Sequence, residues 1–268
     1  MTLPPLVSAA LGPVVAAIVW RAGTLTAGGA VTAALIGSTS ALAGLDWMCI
    51  LLAFFVSSVL LGRVGRERKR QRSAAVIGKA GARDAMQVLA NGAVFALGAA
   101  AAASGRGTDA IAAIALGAVA AATADTWGTE IGMLAGAPPR SILTGAPLEP
   151  GMSGGVTAQG LIATAAGAIT LATLAWALGW PGRVVIAAAA GGAAGAMADS
   201  VIGATLQQRR RSPGTGRLTE RLRDDDGTPT EWAGGVRWLD NDGVNFAATC
   251  IGAGIAFELH HLMTRGAA

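Results

Sequence analysis

Tyrosine is absent from this 268-residue chain, cysteine and histidine occur twice each, and only 13% of residues are charged. Each scarcity removes a class of protein. A soluble domain carries roughly 25% charged residues, so half that share leaves too few to coat a surface in water. Cys49 and Cys250 both lie inside apolar stretches, which excludes a disulfide framework. No Walker-type glycine-lysine motif occurs, so any nucleotide site is of another kind. No stretch alternates apolar and polar residues in the manner of a half-buried strand. No basic residue precedes the first apolar run, so that run reads as a retained helix and not a cleaved signal.

What is present is apolar and small. Hydrophobic residues make up 53%, glycine alone contributes 39 residues, and the mean hydropathy is +0.53. In a bilayer, small residues let helices approach closely and pack by van der Waals contact. A span needs about 20 mostly apolar residues. Eight stretches qualify: 3–20, 24–44, 45–62, 86–103, 109–127, 154–178, 183–206 and 243–263. The expected fold is therefore all-α, a polytopic transmembrane helix bundle of about eight spans forming one integral membrane domain over residues 1–268. The second and third spans are joined so tightly that a re-entrant pair is an alternative. The oligomeric state leaves no trace in the sequence.

Charge distribution orients the bundle. With the N-terminus outside, seventeen of the 20 Lys and Arg residues fall in inner segments, most of them in loops 63–85 and 207–242. The third inner loop, 128–153, holds Arg140. By the positive-inside rule both termini face out and these three loops are cytoplasmic, which places the chain in the cell membrane. Bases confined to loops between apolar runs exclude a nucleic-acid face and suit membrane lipids and phosphate groups.

An ionisable side chain inside a span costs roughly 2.5–3.5 kcal/mol at the bilayer centre, so it usually serves function. Asp125 and Asp199 each lie near the inner end of a span. Both are followed by a hydroxyl residue, a loop and then a glycine-rich helix start, which suggests parallel two-helix repeats around a shared site. The stretch Ala124-Asp125-Thr126-Trp127-Gly128-Thr129-Glu130 presents two carboxylates and two hydroxyls on one broad helical strip. Trp127 reads there as an interfacial anchor. Oxygen ligands of this type suit Mg²⁺, which takes one or two carboxylates and completes its shell with water and substrate phosphates. The candidate metal ligands are Asp125, Glu130, Asp199 and Asp242. Gly151-Met152-Ser153-Gly154-Gly155 can curl its amides towards an anion at a helix start, with Arg140 adding a bidentate contact. Ser153 as a helix cap is the plainer alternative. Lys79 and Arg83 are four apart and would point the same way on a helix. Gln87 and Asn91 continue that polar face, and Asn245 completes it from the last span.

Six blocks in order carry a resemblance. They are Arg83-Asp84-Ala85-Met86-Gln87-Val88-Leu89-Ala90-Asn91-Gly92, the Ala124 to Glu130 strip, Pro139-Arg140-Ser141-Ile142-Leu143-Thr144, Ser153-Gly154-Gly155-Val156-Thr157, Ala198-Asp199-Ser200 and Asp240-Asn241-Asp242-Gly243-Val244-Asn245. Over residues from about 75 to 250 the chain resembles a widespread membrane family long catalogued as a domain of unknown function, which includes the chloroplast phytyl-phosphate kinase of plants. The resemblance implies phosphorylation of an isoprenoid (phytyl- or geranylgeranyl-type) monophosphate to the diphosphate, with CTP or another nucleoside triphosphate as donor. On it, Asp125, Asp199 and Asp242 hold Mg²⁺ on the nucleotide. Lys79, Arg83, Arg140 and the Gly154 and Gly155 amides cradle phosphate oxygens, and the tail lies between spans. The same polar seam would also serve a transporter or flippase of a lipid phosphate, or nucleotidyl transfer to one.

Overall fold

Side-chain caps decide where most of the long helices begin. The computed structural model describes residues 4–78 and 81–266. Its helices are α1 (Pro5–Arg21), α2 (Ala27–Ala43), α3 (Leu45–Arg63), α4 (Arg66–Ser73), α5 (Ala85–Ala101), α6 (Asp109–Gly132), α7 (Ala158–Ala177), α8 (Gly182–Thr205) and α9 (Asn241–Arg265). Thr26, Asp84, Thr108, Thr157 and Asp240 each accept a backbone N–H from the first turn of α2, α5, α6, α7 and α9. Such a cap satisfies one of the four amides that a helix start leaves without a partner. At Asp84 the cap is reciprocal: its Oδ1 accepts from Gln87 N at 2.9 Å, and its own N–H donates to Gln87 Oε1 at 3.0 Å.

Eight of these helices fall on the eight apolar stretches, and the ninth, α4, is a charged helix inside the basic loop. Six are long and apolar enough to cross a membrane, α5 only together with the π-helical turn Ala102–Arg106 that continues it, while α1 and α2 are apolar but shorter at 17 residues each. Two boundaries differ from expectation. Helix α6 runs five residues past Trp127, so the whole acidic strip is helical. Helix α7 starts at Ala158, not Gly154, because Gly155 and Val156 are drawn into a short hairpin and Thr157 takes the cap position. Ser153 is thus not a cap.

Helix α6 is the axis of the bundle. Every residue from 115 to 124 is buried, and α7, α8 and α9 pack against it. The packing depends on absent side chains. A Cβ added to Gly117 would lie 2.8 Å from Gly252 O, and one added to Gly191 would lie 2.5 Å from the same atom. Backbones of α6, α8 and α9 therefore touch, which is how helices associate where lipid removes the hydrophobic drive.

Loop contacts sort the bundle into two ends. At one, Thr26 N donates to Arg83 O and Arg83 N to Thr24 O, both at 3.0 Å, and the loops before α5, α7 and α9 meet. At the other, Trp180 Nε1 donates to Asp46 Oδ2 at 2.7 Å. The basic end also carries five short strands: β1 (Arg140–Ser141) pairs with β2 (Gly155–Val156), and β3 (Arg209–Arg211) lies between β4 (Leu218–Thr219) and β5 (Glu231–Gly234). At two to four residues each, they are too short to leave an alternating pattern in the sequence.

Candidate functional site

The three loops of the basic end enclose a cavity of about 810 Å³ at the ends of the helices. Asp125, from the last third of α6, and Asp199, from the last two turns of α8, both line it. These helices run in the same direction, so the two matched motifs meet at one place, as the proposed repeat requires. Glu130, Arg83, Asn91, Asp242, Asn245, Ser153, Gly154 and Gly155 line the same cavity. Lys79 lies outside the described residues. The starts of α5, α7 and α9 also border the cavity, through Gln87, Thr157 and Asn241. Three helix N-termini thus bring partial positive charge to one space, which favours anions.

The carboxylates are not equivalent. Asp199 Oδ2 is buried with no hydrogen-bond partner among the described residues. Leaving a buried acceptor unmet costs about 1–3 kcal/mol, which singles this oxygen out among the carboxylates of the cavity. Asp125, Asp199 and Glu220 are close enough to interact electrostatically. Asp242 is 4% exposed, in the first turn of α9. Glu130 is already matched: Lys69 Nζ donates to its Oε2 at 2.6 Å and also to Leu61 O at 2.6 Å. Lys69's side chain is only 6% exposed. This ion pair makes Glu130 a poor metal ligand, a correction to the sequence reading. Among the described residues no group of three or more His, Cys, Asp or Glu side chains is gathered tightly enough to hold a metal unaided. Two acidic helix ends and one orphaned carboxylate oxygen nonetheless fit Mg²⁺, which relies on one or two carboxylates plus substrate phosphates and water.

The cations differ as well. Arg83 is not helical: its backbone pairs with Thr24 and Thr26, and α5 begins two residues later. Arg83 therefore does not sit on the helix face expected for it. Its guanidinium lines the cavity and makes no hydrogen bond among the described residues, and burial pushes it down from its ordinary value while Glu130 counteracts. Arg72 also lines the cavity, but it donates to Met133 O and Ala135 O. Arg140 departs from expectation altogether. It is exposed, does not line the cavity, and donates to Gly145 O at 2.8 Å, closing its own turn.

The glycine loop is committed too. Gly155 N donates to Met152 O at 3.1 Å. Ser153 Oγ and N both donate to Glu220 Oε1, at 2.5 and 3.2 Å. Gly154 sits at φ +82°, and a Cβ there would strike Ala204 Cα at 2.7 Å, so this glycine seats the loop against α8. The loop is a wall of the cavity, and its Ser153 and Gly155 groups are already in use. Glu220 was missed in the sequence because it lies in a loop without periodicity. Its N–H donates to Val76 O at 2.9 Å, so it ties the segment before α5 to the segment before α7. Burial raises its carboxyl above the ordinary 4.5, with the Ser153 bonds opposing. Lys69 was read as one more topology-setting base, and nothing in its neighbours marks it as the buried one. Trp127, read as an interfacial anchor, instead donates from Nε1 to Ser57 Oγ of α3 at 3.2 Å.

Fold and site together define a multi-pass integral membrane protein with a polar cavity at the basic end of its bundle. The profile of the family described as Integral membrane protein DUF92 matches residues 10–253, and the chain belongs to this family, which is the one its six blocks resemble. It is similar to an uncharacterized membrane protein, MJ0933, of Methanocaldococcus jannaschii: 34% identical over 166 residues, 62% of this chain and 67% of the relative. It is also similar to Protein PGR of Arabidopsis thaliana, 31% identical over 232 residues, 77% of this chain and 78% of the relative. No solved structure matches it significantly.

Proposed function

We propose that this chain is a Mg²⁺-dependent phosphotransferase that moves the terminal phosphoryl group of a nucleoside triphosphate, CTP by preference, onto an isoprenoid monophosphate at the cytoplasmic membrane face. One observation carries the reading: the Asp199 carboxylate oxygen and the Arg83 guanidinium, neither with a hydrogen-bond partner among the described residues, line one cavity bordered by three helix N-termini. A cavity offering both an unmet anion and an unmet cation suits a metal-bridged phosphate better than either ion alone. Phosphoryl transfer asks mostly for positioning and charge neutralisation, and these are what the residues offer.

On this reading Asp125 and Asp199 would hold the metal, which would supply charge neutralisation on the nucleotide phosphates. Arg83 draws the acceptor phosphate, and Gln87, Asn91 and Asn245 offer amides to its remaining oxygens. The acceptor is already anionic, so no strong general base is needed. The bond from the terminal phosphorus to the bridging oxygen breaks, that oxygen and the electron pair leaving with the nucleoside diphosphate, and an acceptor phosphate oxygen forms the new P–O bond. Lys69–Glu130 and Glu220–Ser153 hold the walls in place.

The position of the site favours an enzyme over a carrier. Transporter sites are expected near the midplane, whereas both aspartates lie near the inner ends of their helices. The test is product analysis: purified protein in detergent with Mg²⁺, CTP and geranylgeranyl or phytyl monophosphate, read by mass spectrometry. Isoprenoid diphosphate and CDP are expected. Pyrophosphate release would point instead to nucleotidyl transfer, and absence of turnover with every nucleotide and prenyl phosphate to lipid-phosphate transport.

A further inference from the structure

A second cavity begins where the polar one ends. It is small, about 80 Å³, lined almost wholly by apolar groups, and enclosed by α1, α2, α3 and α5. Phe54, Arg83, Gln87 and Asn91 line both cavities. From Val19 and Leu25 beside that junction, the apolar cavity extends to Gly12, two turns along α1, or ~10 Å. There the helices close on each other. A Cβ added to Gly37 would lie 2.9 Å from Gly12 Cα, and Ser38 Oγ donates to Ala9 O at 2.7 Å.

We infer that this cavity receives the head-proximal part of the hydrocarbon tail of the lipid phosphate whose head enters the polar cavity, an assignment that rests on the function proposed above. Shape and charge both point to one amphipathic occupant. The junction carries the cation without a hydrogen-bond partner among the described residues, at the place where the phosphate of such a molecule meets its first carbons. An apolar cavity that opens on a guanidinium and two amides is badly suited to a neutral hydrocarbon and well suited to an anion with a short apolar stem. The tail does not leave water to enter it, since the bilayer is already apolar, so the hydrophobic effect contributes little to binding. What the cavity supplies is packing against a fixed shape, which orients the head towards Asp125 and Asp199. Because only the first part of the tail fits, the remainder lies in the bilayer, and lengthening it beyond that part leaves recognition unchanged.

The experiment is photo-crosslinking in phosphatidylcholine nanodiscs, with a prenyl monophosphate that carries a diazirine on its first isoprenoid unit, mapped by mass spectrometry. Adducts are expected on α1 and α2 around Val15 and Ala33, suppressed by unlabelled prenyl monophosphate and not by the prenyl alcohol. Adducts on the outer surfaces of α7 and α9, or adducts that the alcohol suppresses equally, would overturn the assignment in favour of ordinary bilayer lipid. Crosslinking needs no turnover. Phosphoryl transfer can therefore fail while the tail site stands, and a working kinase with adducts elsewhere removes the tail site alone. As a second arm, Ala33→Phe fills the cavity and is expected to lower kcat/KM for prenyl phosphate about tenfold with CTP affinity unchanged. Equal kcat/KM in the folded variant contradicts the proposal.

Discussion

The two ends of the bundle treat a carboxylate in opposite ways. At the end away from the basic loops Asp46 accepts from Trp180 Nε1 at 2.7 Å, and the Trp180 ring packs tilted against Trp47 with centroids 4.8 Å apart, while Trp47 in turn meets Phe95 at 5.3 Å. Acid, donor and aromatic packing complete one another around Asp46. At the basic end Asp199 keeps a buried oxygen without a partner, within the electrostatic reach of two further acids. A protein that satisfies one acid so thoroughly has no structural need to leave another unmet. The difference separates an acid that holds the fold from acids whose role is the proposed metal site.

Exchanging the acids tests that separation most severely. Asp125→Asn or Asp199→Asn is expected to lower phosphoryl transfer by about 10²–10³-fold with little change in melting temperature. Asp46→Asn is expected to do the reverse, holding activity within about twofold while the melting temperature falls by about 2–4 °C for each 1 kcal/mol lost. Activity assays and thermal melts on the same preparations check both. Retained activity in both cavity variants would sink the metal assignment.

The next largest effect concerns the wall. Lys69→Ala leaves Glu130 charged and unpaired, and breaking a buried pair from one side costs about 3–5 kcal/mol. A large drop in thermal stability is expected, partly restored by adding Glu130→Gln. If the double variant is no better than the single, Glu130 does more than balance Lys69.

A smaller effect depends on pH. Glu220 has its carboxyl raised by burial, so the folded protein favours the protonated form more than the unfolded chain does. Its contribution to stability is complete below the ordinary 4.5 and fades as pH rises through the higher folded value. Thermal melts across that window should show wild type losing more stability with rising pH than Glu220→Gln. Parallel curves would show that Glu220 does not govern this latch. The smallest effect is expected at Arg140. Its guanidinium closes a turn away from the cavity, so Arg140→Ala should keep phosphoryl transfer within about twofold by activity assay, well below the factor of ten that 1.4 kcal/mol represents.

These contrasts mark what the sequence could disclose. Apolar run lengths were enough for the eight long helices, and the cost of burying Asp125 and Asp199 was enough to single them out. Asn91, Asn245 and Asp242 were legible because they sit within a helix turn or two of a recognisable start. Partnerships were not legible. That Ser153 is spoken for by Glu220, sixty-seven residues away, or that Lys69 alone of its basic run is buried against Glu130, follows from how loops fold over one another. Arg140 failed for the same reason. A base beside a glycine loop looks available until the turn it closes is seen.

The central claim is that the unmet carboxylates await a metal-bound nucleotide, and Mg²⁺-dependent CTP binding tests it most directly. Binding to purified protein is measured with and without Mg²⁺, in wild type and in Asp199→Asn. The account predicts that Mg²⁺ tightens binding by about tenfold or more in wild type and has almost no effect in the variant. Equal tightening in both, or none in either, would contradict it.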